Sequence, residues 1–179
     1  MAIRYTSNNI SNISNSVFFD ANILIYLFWP SPSRNNLSEK YARIFAALLK
    51  KNISLYTNTF VISEVINRIL RIEWDNQTSK KMNFKDFRNS ECGKTVQNDV
   101  FDIIKNRILK TFSITDKHLT NNDFDKLLVV DSLDFNDKVI VETCKEFNLI
   151  LLTHDSDFSS TDLDILSLNI KNNTPVQLT

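Results

Sequence analysis

The chain has 179 residues, 42% hydrophobic and 23% charged, a globular composition that suits one domain burying about 70% of the unfolded chain's surface. Its 21 basic and 21 acidic residues cancel, so global charge selects no partner and any affinity for phosphate must be local. Two histidines exclude HExxH zinc sites and paired-histidine catalysis, one glycine excludes a phosphate-cradling loop, and no apolar run approaches the ~20 residues of a membrane span.

Residues 1–16 mix four Asn and four Ser with scattered Ile and Tyr5, lack the apolar core of a signal peptide, and read as a polar N-terminal arm. Residues 17–19, Val-Phe-Phe, form a short apolar run of the kind found in a central parallel strand, and the run ends in Asp20. A short helix to Trp29 follows, stopped by Pro30 and Pro32. Asn36 and Glu39 form a capping-box pattern ahead of a helix carrying Leu37, Tyr41, Ile44, Phe45 and Leu48, closed by Lys50, Lys51 and Asn52. Residues 53–56 predict a second strand, and Thr57 to Thr59 offer caps for a helix to about Trp74 that carries Glu64 in its early turns. Residues 75–95 are polar, with Met82, Phe84 and Phe87 as isolated apolar points, and read as a loop or an exposed helical excursion. Helical periodicity returns from Val96 to Phe112, a shorter helix is predicted over 121–130, and another over 136–147. Residues 149–153 form a further apolar strand ending in Thr153-His154-Asp155-Ser156-Asp157, a last strand lies around 163–168, and 171–179 are a polar tail. Strands alternating with helices predict an α/β fold, three-layer α/β/α around a mainly parallel sheet, occupying 17–170. Cys92 and Cys144 form neither a disulfide framework nor a metal cluster, which predicts a reduced, cytoplasmic protein.

Two strands deliver an acid to their carboxyl ends, and parallel neighbours put both ends on the edge where ligands collect in open α/β sheets. Asp20 and Asp155 can therefore meet there. Each acid also has a structural reading. Asp20 or Asn22 could cap the helix that follows; Glu64 could pair with Arg68 one turn on; one of Asp131, Asp134 and Asp137, best Asp134, could cap its helix; and Asp157 could cap a turn. If Asp20, Glu64, Asp137 and Asp155 converge, they need a cation, because unit charges about 4 Å apart repel by about 4 kcal/mol at an effective dielectric of 20. Oxygen-only ligands point to Mg²⁺ or Mn²⁺, and such a site performs phosphodiester hydrolysis with a metal-activated water. Phosphoryl transfer through a nucleophilic Asp20, as in haloacid-dehalogenase-like phosphatases, wants a second acid two residues later, where Asn22 stands.

These residues resemble the PIN-domain family of metal-dependent ribonucleases, most closely its VapC-type toxin branch, over roughly 17–168. Asp20-Ala21-Asn22 after an apolar strand is similar to the family's first motif, Ser63-Glu64 to its second, Asp137-Lys138-Val139-Ile140 to its third and Thr153-His154-Asp155-Ser156-Asp157-Phe158 to its fourth. The resemblance implies that Asp20, Asp137 and Asp155 hold the metal or its waters, that Glu64 orients a water or completes the shell, and that Asn22 supports from behind, with Asp157 a further candidate and Thr153 a supporting residue. Asn22 would then cap while Asp20 faces the metal. Lys138 and His154 depart from the family's usual small or variable residues without removing an acid. The family further implies a five-stranded parallel sheet, a homodimer, an RNA substrate and, in the toxin branch, an antitoxin protein. Alternatives are a PIN-fold RNA- or protein-binding module and a housekeeping RNA-processing nuclease. Between Arg68 and Lys94, seven basic residues, Lys80 and Lys81 among them, face four acidic ones; with Trp74, Phe84 and Phe87 interspersed, the stretch either receives RNA or a peptide or is simply a solvated face.

Overall fold

In the computed structural model, which describes residues 2–29, 35–77 and 82–173, six short strands pair in parallel. Their order is β1 (Arg4–Tyr5), β6 (Ile165–Leu166), β5 (Ile150–Leu152), β2 (Val17–Phe19), β3 (Leu55–Thr57) and β4 (Ser113–Ile114). All three residues of β2 are fully buried, as its unbroken apolar run requires of a strand covered on both faces. Helices α1 (Ala21–Phe28), α2 (Asn35–Lys50), α3 (Thr59–Asp75), α4 (Phe84–Asn89), α5 (Glu91–Ile103), α6 (Leu109–Thr111), α7 (Asn121–Leu127) and α8 (Phe135–Glu146) flank the sheet. The chain runs outward from β2 to β3 and β4 on one side, then returns to lay β5 against the other side of β2. That reversal is a topological switch point, where open α/β sheets leave a crevice at the carboxyl ends of the strands.

The sheet has six strands rather than five. Residues 2–16 are not a loose arm: Arg4 pairs with Ile165 and Tyr5 with Leu166, while Tyr5, Ile10 and Ile13 are buried. Arg4 secures this edge by donating to the carbonyls of Leu163, Ser159 and Thr161 at 2.8, 3.1 and 2.7 Å, and Lys51 Nζ holds the carbonyls of Ser11 and Ile13. Both β1 and β4 are two residues long, too short to carry a period, which is why sequence patterning misses them.

Other elements differ in detail. The first helix runs to Phe28, and Pro30 and Pro32 lie outside the described residues. The next helix begins at Asn35, so Asn36 sits inside its first turn rather than capping it. Asn52 and Asn148, at φ 55° and 50°, close α2 and α8 in the left-handed region that asparagine tolerates. The excursion is helical from Phe84 onward, and Phe87 is buried rather than isolated. Gly93 is required there, because a Cβ would collide with the carbonyl oxygen of Phe87 where α5 crosses α4. The stripe 96–112 is realised as α5, a π-helical turn at Ile104–Ile108 and α6.

Candidate active site

β2 and β5 are in register with Phe19 opposite Leu152, so Asp20 stands opposite Thr153 at the carboxyl edge of the sheet. Asp20 is 5% exposed, and its carboxylate is fully engaged. Oδ1 accepts from the Ala21 N–H at 2.6 Å, and Oδ2 accepts from Asn22 Nδ2 and Thr153 Oγ1, both at 2.6 Å. Asp20 is thus itself the cap of α1, and the expected division in which Asn22 caps is reversed. Asn22 instead bridges the two strand ends, donating to Asp20 and Thr153 while its Oδ1 accepts the His154 N–H at 3.1 Å. Thr153 Oγ1 also accepts the Asp155 N–H at 3.0 Å, which fixes the turn that carries Asp155.

Asp137 occupies the third position of α8, in a capping box with Asp134. Asp134 Oδ1 accepts the Asp137 N–H at 2.9 Å, and Asp137 Oδ2 accepts the Asp134 N–H at 3.3 Å. Glu64 forms its i+4 pair with Arg68 at 2.9 Å, leaving the side chain 29% exposed. Asp155 Oδ1 accepts the Asp157 N–H at 3.0 Å and so starts the short 3-10 turn, while the Asp157 side chain is exposed.

Electrostatics tie four of these acids together. Burial pushes the Asp20 carboxyl up to about 6, and the charges of Glu64 and Asp155 add to the rise against the hydrogen bonds from Thr153 and Ala21. Burial likewise raises Asp137 to about 7, helped by Asp134, Asp20 and Asp155. Among the described residues, none of Asp20, Asp137 and Asp155 has a cationic partner within 4 Å.

Asp20, Asp137 and Asp155 suit a hard divalent cation: oxygen only, mutually repelling and, among the described residues, without a lysine or arginine partner. Its distances are looser. Among the described residues, no group of three or more His, Cys, Asp or Glu stands close enough to hold a metal ion. Asp137 and Asp155 each have one oxygen without a hydrogen-bond partner among the described residues.

Several features lay beyond sequence reasoning. The Tyr41 hydroxyl, fully buried on α2, accepts the Leu168 N–H at 3.2 Å and lies 2.9 Å from His154 Nδ1 and 3.4 Å from the Thr153 carbonyl. Burial raises this phenol to about 12, so it stays protonated while it braces the strand end before Asp155. Lys138, the departure beside Asp137, is buried and turned away: its Nζ binds the Val129 carbonyl and pairs with Asp131 at 3.2 Å. Asn58, read as one of three caps, does cap α3 through Val61 N at 2.8 Å, and its buried Nδ2 has no partner among the described residues. Three of the seven basic residues at 68–94 have a partner. Arg68 pairs with Glu64, Lys94 with Glu91, and Arg71 lies 4.5 Å over the Phe84 ring, whereas Lys80 and Lys81 fall outside the described residues. No helix among the described residues is long and apolar enough to cross a membrane.

A family model described as PIN domain matches residues 17–163, a span that contains all four acids. No curated protein matches the chain.

Proposed function

The chain belongs to the PIN-domain family, and on that premise we propose that it is a divalent-metal-dependent endoribonuclease that hydrolyses RNA phosphodiesters at the acid edge of its sheet. PIN domains are generally nucleases, and they typically use divalent metal ions. The observation that supports the reading is the delivery of Asp20 and Asp155 to the carboxyl ends of adjacent strands, with Glu64 and Asp155 raising the Asp20 carboxyl and Asp20 and Asp155 raising that of Asp137.

In this reading Asp20, Asp137 and Asp155 hold Mg²⁺ or Mn²⁺. A bound ion of this kind polarises a phosphoryl oxygen and lowers the pKa of a coordinated water. Glu64 orients the attacking water and accepts its proton. Asn22 and Thr153 keep the Asp20 carboxylate in one orientation through its Oδ2, and Asp157 stands in reserve at the rim. Asp20 arrives already bonded to Ala21 N, so its position owes as much to the helix start as to the sheet.

We read the protein as VapC-like, the toxin of a toxin–antitoxin pair acting as a homodimer in the cytoplasm. The order of its four motifs supports that branch. One observation favours a second reading, a PIN-fold RNA- or protein-binding module: among the described residues, no three acids stand close enough to hold a metal ion. Incubation with single-stranded and structured RNAs separates the two. Cleavage that requires Mn²⁺ and is lost in Asp155→Asn supports the nuclease; cleavage surviving both chelation and that substitution sinks it. Partner capture without turnover on any RNA favours the module. Growth arrest on expression, relieved by a co-expressed neighbouring gene product, tests the toxin role.

A further inference from the structure

The turn that carries Asp155 is held by residues outside the span matched by the family. That span ends at residue 163, and after β6 the chain passes through Ser167 and Asn169 into a short 3-10 turn, Ile170–Asn173. Asn169 Nδ2 donates to the His154 carbonyl at 2.8 Å, and Asn172 Nδ2 donates to the Asp155 carbonyl at 2.7 Å. Ser167 Oγ, itself fully buried, links the two asparagines: it accepts the Asn169 N–H at 3.0 Å and Asn172 Nδ2 at 3.2 Å. Asn172 belongs to a polar stretch of sequence and yet has no exposed surface. Its Oδ1 has no partner among the described residues, and turning the amide over would set that oxygen against the Asp155 carbonyl, which can only accept. A buried acceptor left unpaired is a cost that an apolar side chain of similar size avoids. What the amide adds is its bonds to Asp155 and Ser167.

We propose that Asn169 and Asn172 are positioning residues for Asp155, so that the segment following β6 belongs to the active site. The inference rests on the reading of Asp155 as a metal ligand. A peptide unit is planar, so the direction in which a side chain leaves the backbone is set once the planes on both sides of its Cα are fixed. The plane before Asp155 is gripped at both ends, its carbonyl by Asn169 and its N–H by Thr153 Oγ1 at 3.0 Å. The plane after it is gripped by Asn172. One further bond, from the Asp157 N–H to Oδ1 at 3.0 Å, turns the carboxylate, and Oδ2 is left without a hydrogen-bond partner among the described residues. The gripping segment is anchored in its turn, because the Leu168 N–H donates to the Tyr41 hydroxyl at 3.2 Å. Asp155 sits on a half-buried turn beside the exposed Asp157. Without the two amides, the ordering of that turn would fall on metal binding and weaken it.

The test is Mn²⁺ binding to the full chain, followed by paramagnetic resonance, in a double-mutant cycle of Asn172→Leu and Asp155→Asn, with thermal melts to check folding. Asn172→Leu should weaken Mn²⁺ binding about 10- to 100-fold, the usual loss when a residue that orients a metal ligand is removed. In the Asp155→Asn background the same substitution should change affinity by no more than about twofold, because no carboxylate is left for it to position. Asn169→Ala, at a half-exposed position, takes the place of Asn172→Leu in the cycle if that variant fails to fold. Unchanged affinity in the folded variant overturns the proposal. So does an equal loss in both backgrounds, which is what a residue that merely ties the segment to the domain would give. Amide hydrogen exchange without metal keeps this proposal apart from the metal reading. The Asp155 and Asp157 N–H groups should lose protection in the variant, while the Val17 N–H, bonded to the Ser54 carbonyl in the central strand, keeps its own. If wild type binds no Mn²⁺, the metal reading falls and exchange decides the positioning; it decides likewise if Asp155→Asn alone abolishes binding. Protection lost at Asp155 and Asp157 alone upholds the positioning, and protection unchanged there, or lost at Val17 as well, overturns it.

Discussion

Replacing Asp20 with asparagine should change how stability depends on pH, and the structure sets the size of the effect. The Asp20 carboxyl titrates at about 6 in the folded protein, against the ordinary value of 3.8, because it is buried and faces Glu64 and Asp155. Between those values the folded state holds a proton that the unfolded chain has released, so raising the pH favours unfolding. The stability is present below about pH 4 and gone above about pH 6, and the shift corresponds to about 3 kcal/mol. For a chain of this length that is about 6–12 °C in melting temperature. Asp20→Asn removes the ionisation but introduces a different cost. Asn22 Nδ2 and Thr153 Oγ1 both donate to Asp20 Oδ2, and an amide nitrogen in that place opposes the Asn22 donor, which costs about 1–3 kcal/mol. The variant should therefore be the less stable protein at pH 4 and match or exceed wild type at pH 8. The measurement is urea unfolding across pH 4–8 in EDTA, with the difference between the two proteins taken at each pH. Asp137, itself raised to about 7 in part by Asp20, should titrate lower in the variant and widen the difference. Addition of Mn²⁺ at pH 8 should stabilise wild type, by about 2.7 kcal/mol at a hundred times its dissociation constant, and the variant less. Parallel pH curves for the two proteins would refute the claim that Asp20 is a buried, uncompensated carboxylate.

Asn22→Ala leaves Asp20 and Thr153 in place but removes the amide that joins them and leaves the His154 N–H without its acceptor. Mn²⁺ affinity read by paramagnetic resonance should fall about 10- to 100-fold, as for other residues that orient a metal ligand; unchanged affinity would confine Asn22 to a structural role. Tyr41→Phe deletes the acceptor of the Leu168 N–H and the contact to His154 Nδ1 in a fully buried place. Urea unfolding should register about 1–3 kcal/mol, the cost of leaving a buried donor unpaired.

How much of this was legible beforehand depends on the range over which each signal acts. The alternation of strands and helices, the buried run Val17–Phe19 and its delivery of Asp20 to the sheet edge are local patterns, since a strand covered on both faces must be apolar throughout. The family was legible for the same reason, as four short motifs in fixed order. So were the Glu64–Arg68 pair, which helical spacing alone dictates, and the Asp134 cap. Cap assignment at the first motif failed because Asp20 and Asn22 are equally good caps by type, and the choice is made by Thr153, 133 residues away, which pulls Asn22 across to the neighbouring strand.

The amino-acid sequence by itself determined the fold class, the central strands and which acids stand at strand ends or helix starts, because these follow from side-chain period and local capping. The tertiary structure alone decided the sixth strand, the bond from Thr153 to Asp20, the bracing of the Asp155 turn by Tyr41 and the gathering of Phe60, Phe124 and Phe135. Each of these depends on contacts between segments far apart in the chain. A two-residue strand such as β1 exists only because Ile165 and Leu166 offer an edge to pair with, and no window of sequence around Arg4 contains that edge.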